Sequence, residues 1–135
     1  MVYAVIDTNI FVSAFITKNA TASTHRVINS LFAGKIKPLY NDEIIEEYSE
    51  VLHRSKFHLA NKDIQSLLYF IQTNGIDSSR FPYDGDMLDK DDRVFYEVAL
   101  SEEDSFLVTG NLKHFPKTPK VVTAAQMMEI FDHEE

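Results

Sequence analysis

Two rhythms of apolar and polar positions alternate along the chain. Short apolar runs at 2–7, 37–40, 105–109 and 120–123 read as buried strands, and a weaker one lies near 76–82, where Ile76 and Phe81 are the apolar points. Helical periodicity occupies roughly 22–33, 41–54, 61–73, 91–102 and 123–132. In 41–54, residues Ile44, Ile45, Tyr48, Val51 and Leu52 share one helix face, and Asn41 or Asp42 is placed to cap the start. In 61–73, Asn61 precedes Ile64, Leu67, Leu68 and Ile71. Such alternation predicts an α/β domain whose mostly parallel sheet is covered on both faces. No repeat, low-complexity tract or linker divides the chain, so 1–135 is expected to form one domain, with 82–90 as its most loop-like stretch.

Composition narrows the functional classes. The chain is 44% hydrophobic and 12% aromatic, which suits a globular domain and not a disordered one. No apolar run approaches the ~20 residues of a membrane span, and no basic segment precedes the first apolar stretch. With no cysteine, disulfides and thiolate chemistry are excluded, and a cytoplasmic protein without a membrane partner is the expectation. A formal charge of -8 argues against non-specific coating of nucleic acid, but it does not speak to a local site.

The first strand ends in Asp7-Thr8-Asn9, which places a carboxylate where burial is expensive. Asp7 has two readings: it caps a helix beginning near Asn9, or it serves a site beyond the carboxyl end of the sheet. Glu47 lies three residues after Ile44 and four before Val51, on or beside that helix's apolar stripe, whereas Glu46 and Glu50 look outward. Asp86, Asp89, Asp91 and Asp92 crowd the start of a later helix, more acids than capping requires. Asp92 shares the face of Phe95 and Ala99 and should point inward; Asp91 reads as solvated or as a cap. Thr109-Gly110-Asn111 ends another strand at the same sheet edge as Asp7, with Gly110 read as a turn closed to other residues.

This ordered set resembles the PIN domain. The resemblance rests on Asp7-Thr8-Asn9 after an apolar strand, Glu47 in "EEYSEVL", Asp92 in "DKDDRVFYEVAL" and Asn111 in "LVTGNLKHF", and it spans about residues 2 to 125. It implies a three-layer α/β/α sandwich and a Mg²⁺- or Mn²⁺-dependent ribonuclease, of the branch that includes toxins of toxin–antitoxin pairs. The implied metal ligands are Asp7, Glu47 and Asp92, with Asp89 and Asn111 as lesser members. Asp7, Glu47 and Asp92 would also be the catalytic residues.

The chemistry of the residues agrees. Two carboxylates ~5 Å apart repel by roughly 3 kcal/mol at an effective dielectric of 20, so three converging ones call for cations or protons. Hard oxygen donors suit magnesium or manganese. Thr8, Asn9, Thr109, Lys113 and His114 are candidate substrate contacts, the last two because "NLKHFPKTPK" carries three lysines and no acid. Capping is the competing role for Thr8 and Asn9, and a solvated loop the competing role for Lys113 and His114. Lys18 and Arg26 are further candidate RNA contacts, and the other histidines read as surface residues. One departure stands out: many PIN domains carry aspartate where this chain has Asn111. The alternative to a nuclease is therefore a non-catalytic PIN-like module that binds RNA or protein. Apolar Tyr69 and Phe70 beside the core stripe of 61–73 suggest an association face, and the resemblance implies a homodimer and an antitoxin partner.

Overall fold

The strand that delivers Asp7, β1 (Val2–Ile6), lies in the middle of a parallel sheet in the computed structural model, which describes residues 1–134. Beside it on one side runs β2 (Ile36–Tyr40), then β3 (Ile76–Asp77); on the other side run β4 (Phe106–Val108) and β5 (Val121–Val122). Every pairing is parallel. A parallel strand needs a crossover, and the connections carry α1 (Thr8–Ile16), α2 (Ser23–Phe32), α3 (Asp42–Leu52), α4 (Asn61–Asn74) and α5 (Arg93–Leu100), with α6 (Ala124–Glu134) closing the chain. The result is the expected α/β/α arrangement. α2 packs on α1, α6 and β2, whereas α5 packs on α3, β1, β2 and β4, and α4 on α3 and β2. No helix among the described residues is long and apolar enough to cross a membrane.

The apolar periodicities become the core. Ala4, Val5 and Ile6 of β1 are completely buried, as the continuous apolar run of a central parallel strand requires. Ile44, Tyr48 and Leu52 bring α3 onto them, and Ile64, Leu67, Leu68 and Ile71 bury α4. Asn41 caps α3 by accepting a hydrogen bond from the Ile44 N–H at 2.9 Å. Gly75 ends α4 where a Cβ would come within 2.5 Å of the Pro38 and Ile71 carbonyls, so this close approach of α4 to β2 requires glycine. On α4, Tyr69 is 70% exposed, while Phe70 is half-buried and packs edge-on against Phe32.

Two sequence expectations change. The strand near 76–82 shrinks to two exposed residues, and Phe81 stays exposed. Ser78 continues the ladder with one bond to the Tyr40 carbonyl, at 2.7 Å, after which Arg80 is drawn away to Glu43 and Glu97. The helix at 91–102 is shorter: a 3₁₀ turn, Lys90–Asp92, precedes α5.

Tyr48 joins the two halves of the later argument. Its buried hydroxyl donates to the Ile6 carbonyl, and its ring meets Phe11 edge-on at 5.0 Å. That bond fixes the helix carrying Glu47 against the strand carrying Asp7. Replacing Tyr48 with Phe leaves the Ile6 carbonyl without this donor, so the expected cost is about 1–2 kcal/mol in urea unfolding, with an unchanged slope. Unaltered stability would show that the Ile6 carbonyl does not depend on this hydroxyl.

Candidate metal centre

From β1 the chain runs outward through β2 and β3, and later returns to place β4 and β5 on the other side of β1. The strand order therefore reverses between β1 and β4, and the crevice beyond their carboxyl ends is where open parallel sheets bind ligands. Asp7 leaves β1 at this point, with its N–H bonded to the Val108 carbonyl at 2.9 Å. Thr109 leaves β4 opposite it, and its hydroxyl donates to Asp7 Oδ2 at 2.7 Å. Asn9 Nδ2 donates to the same oxygen at 3.3 Å, while Asn9 Oδ1 accepts from the Gly110 N–H at 3.0 Å.

These bonds bear on the capping reading of Asp7. It occupies the N-cap position of α1, but its side chain makes no capping bond. Thr109 is completely buried and committed to Asp7, so it supports the site from below. Gly110 has no positive φ, unlike Gly34; its contribution is the N–H that Asn9 accepts, and the expectation of a glycine-only turn fails. Thr8 Oγ1 is buried without a hydrogen-bond partner, an unsatisfied oxygen at the floor of the cleft.

One cleft of about 320 Å³ gathers Asp7, Thr8 and Asn9 from the first strand–helix junction, Glu47 from α3, Asp89 and Asp92 from the start of α5, and Asn111 and His114 from beyond β4. Within it the tightest cluster among the described residues is Asp89, Asp92 and His114, each offering a ligand atom within 4.8 Å of the other two. The expected trio of Asp7, Glu47 and Asp92 shares the cleft without forming that cluster. Asp92 Oδ2 is instead engaged by His114 Nδ1 at 3.0 Å, and Thr109 holds Asp7 on β1. Asp89 accepts from the Asp91 N–H at 2.9 Å, which starts the 3₁₀ turn and presents Asp92.

The loop carrying Asp89 is anchored from behind. Buried Glu97 accepts from Arg80 Nε at 2.7 Å and from the Tyr83 N–H at 2.9 Å. Burial alone would raise the Glu97 pKa, but these donors hold it below the ordinary carboxylate range. Arg93 adds bonds to the Tyr83 and Gly85 carbonyls, the latter at 3.0 Å.

Charge is the unsolved problem of the cleft. Asp7 is only 6% exposed, and burial pushes its pKa up to about 6. The Thr109 hydroxyl opposes that rise, and the charges of Asp92 and Glu47 add to it. Burial also raises Glu47, with Glu50 adding to the rise and Arg54 opposing it, and raises Asp92 against the pull of His114. Three carboxylates displaced in the same direction are short of positive charge. Oxygen donors with one imidazole suit a divalent cation such as Mg²⁺ or Mn²⁺, so the residues present fit an ion.

Other expected residues lie elsewhere or play smaller parts. Lys113 sits outside the cleft, beside Leu112, Phe115 and Pro116 in a neighbouring groove. Exposed Asn111 is at the rim, its N–H bonded to Thr109 Oγ1 at 3.0 Å. Arg26 faces Asp132 of α6 at 3.8 Å, and Lys18 is exposed outside the cleft. Asp91, expected to be solvated, is exposed but does line the cleft, and Arg54 and Phe57 join it from the end of α3. No local pattern marks Arg54 or Phe57, which enter through tertiary packing.

A family model described as PIN domain matches residues 3–113. No curated protein matches the chain.

Because the folded protein binds the Asp7 proton more tightly than an unfolded chain does, Asp7 weakens the fold as pH rises from the ordinary value of 3.8 through about 6. The full effect is about 3 kcal/mol. In chelator at pH ~7.5, Asp7→Asn should therefore be more stable than wild type, with the gap closing toward pH ~4, as followed by denaturant unfolding. A metal-free variant less stable than wild type at the higher pH would contradict this.

Proposed function

The chain belongs to the PIN-domain family, whose members are generally nucleases that bind divalent metals, and on that premise we propose that it is a divalent-metal-dependent endoribonuclease. The observation that carries the proposal is the crowding of Asp7, Glu47, Asp89 and Asp92 in one cleft at the sheet's topological switch point. Such an acidic site, with no cysteine in the chain and no serine in the cleft lining among the described residues, favours hydrolysis by water.

In this reading Asp7, Glu47 and Asp92 would hold the ion, directly or through its waters, joined by Asp89 and the neutral amide oxygen of Asn111. When bound, Mg²⁺ or Mn²⁺ polarises the scissile phosphate and makes water a stronger nucleophile. The protein's own groups orient the ligands. Thr109 and Asn9 fix the Asp7 carboxylate, and His114 fixes that of Asp92 while keeping its other ring nitrogen for ion or phosphate. Thr8 Oγ1 is a neutral contact for a phosphate oxygen, and Lys113 meets RNA that leaves the cleft. Single-stranded RNA is the proposed substrate. The biological role proposed is the toxin of a toxin–antitoxin pair, working as a homodimer through the outer face of α4 around exposed Tyr69.

The purified protein is expected to cleave single-stranded RNA with Mg²⁺ or Mn²⁺ and to stop in excess chelator. Asp7→Asn and Asp92→Asn should each lose more activity than the ~10–100-fold typical of outer-shell changes. Induced wild type should arrest cell growth where Asp7→Asn does not, and sedimentation should report a dimer. Cleavage that survives chelation would contradict the mechanism. Metal binding with no cleavage of any RNA would favour a module that binds RNA or protein without cutting.

A further inference from the structure

The cleft has an apolar wall as well as an acidic one. Val12 of α1, Val51 of α3 and Phe57 line it, with Arg54 at the same end. Phe57 closes the 3₁₀ turn Ser55–Phe57 that follows α3. Phe57 is half-buried, yet it belongs to neither the core nor the side chains packed against it. Lys56 Nζ stands 5.2 Å from the ring centroid, within cation–π range. Directly after it, His58 caps the turn with φ 54 and ψ 35, a left-handed conformation that histidine enters more readily than most side chains. The chain is thus turned sharply at the residue after an aromatic ring that faces a cleft and that core packing does not employ.

An aromatic side chain lining a cleft and flanked by cations is what single-stranded nucleic acid binders use: the ring stacks a base and the cations follow the backbone. Arg54 is suited to that second role, since its guanidinium is half-exposed, its pairing with the surface residue Glu50 at 3.0 Å is a weak one, and its charge also reaches Glu47 in the cleft. Resting on the ribonuclease reading, we infer that Phe57, Val12 and Val51 form a subsite for one unstacked base beside the scissile phosphate, with Arg54 and Lys56 contacting the flanking phosphates. The carboxylates would then set where the strand is cut, and this wall would hold the neighbouring nucleotide.

The chain contains no tryptophan, so Phe57→Trp places a single indole in the subsite. The full-length protein is titrated with a labelled single-stranded oligoribonucleotide, with Ca²⁺ replacing Mn²⁺ to slow hydrolysis. Anisotropy reports binding, and the emission of the introduced indole reports stacking. Expected are a change in indole emission that saturates with the anisotropy, near-wild-type affinity for Phe57→Trp, and a loss of about 5- to 100-fold for Phe57→Ala. Mn²⁺ affinity should be unchanged in both variants. An abasic nucleotide at the stacked position should weaken wild type as much as Phe57→Ala does, and should cost that variant nothing further. Should Phe57→Ala fail to fold, the indole signal and the abasic substrate decide. Unchanged emission at saturating RNA, or wild-type affinity in Phe57→Ala, would overturn the subsite and leave the ribonuclease reading standing. Failure of wild type either to bind or to cleave RNA would overturn both.

Discussion

The hydrogen bond from Thr109 to Asp7 crosses the gap between β1 and β4, the point where the sheet changes direction. It joins residues 102 positions apart in the chain and lies in the buried floor of the cleft. A hydroxyl can orient a carboxylate and partly stabilise its charge, but it cannot neutralise it. Burial therefore still pushes Asp7 up to about 6. The rest of the site follows from that incomplete compensation. Glu47 and Asp92 face the same cleft and make the shortage of positive charge worse, so the fold carries an electrostatic cost that a cation at this place would relieve.

Holding such a site open requires rigid supports, and they come from behind the carboxylates. Tyr48, adjacent to Glu47, bonds to the carbonyl of Ile6, adjacent to Asp7, so α3 and β1 cannot shift independently. Glu97, one turn into α5, gathers Arg80 and the Tyr83 N–H and ties down the loop that leads to Asp89. These groups need no direct part in chemistry, because their effect is to keep acidic side chains near one another despite mutual repulsion.

Much of this was legible in the sequence, and the physical reason differs from part to part. Strand and helix periods encode burial, so the order of elements, the parallel sheet and the inward placement of Ile44, Tyr48 and Leu52 could be read directly. The sheet-edge position of Asp7 and Thr109 followed from the topology those periods imply. What escaped were interactions between distant side chains. The third strand was overextended because Arg80 leaves it for Glu43 and Glu97, a pairing with no local signature. The cluster of Asp89 and Asp92 with His114 depends on a contact spanning 22 residues; the basic stretch around His114 pointed to substrate, and nothing local pairs it with a carboxylate. Arg54 and Phe57 reach the cleft only because the end of α3 lies against α1.

That the cleft is a divalent-cation site built around a buried, proton-retaining Asp7 is open to one direct measurement. Mn²⁺ is titrated calorimetrically into the metal-free protein near pH 6, in buffers of different ionisation enthalpy, so that the heat reports protons released on binding. An Asp7 held at about 6 is part-protonated there, and occupancy by a cation should expel that proton. The expected result is tight binding with release of a fraction of a proton near pH 6, less release near pH 8, and loss of both binding and release in Asp7→Asn. Mn²⁺ binding that is unaltered by Asp7→Asn, or no binding at all by the folded wild-type protein, would contradict the account.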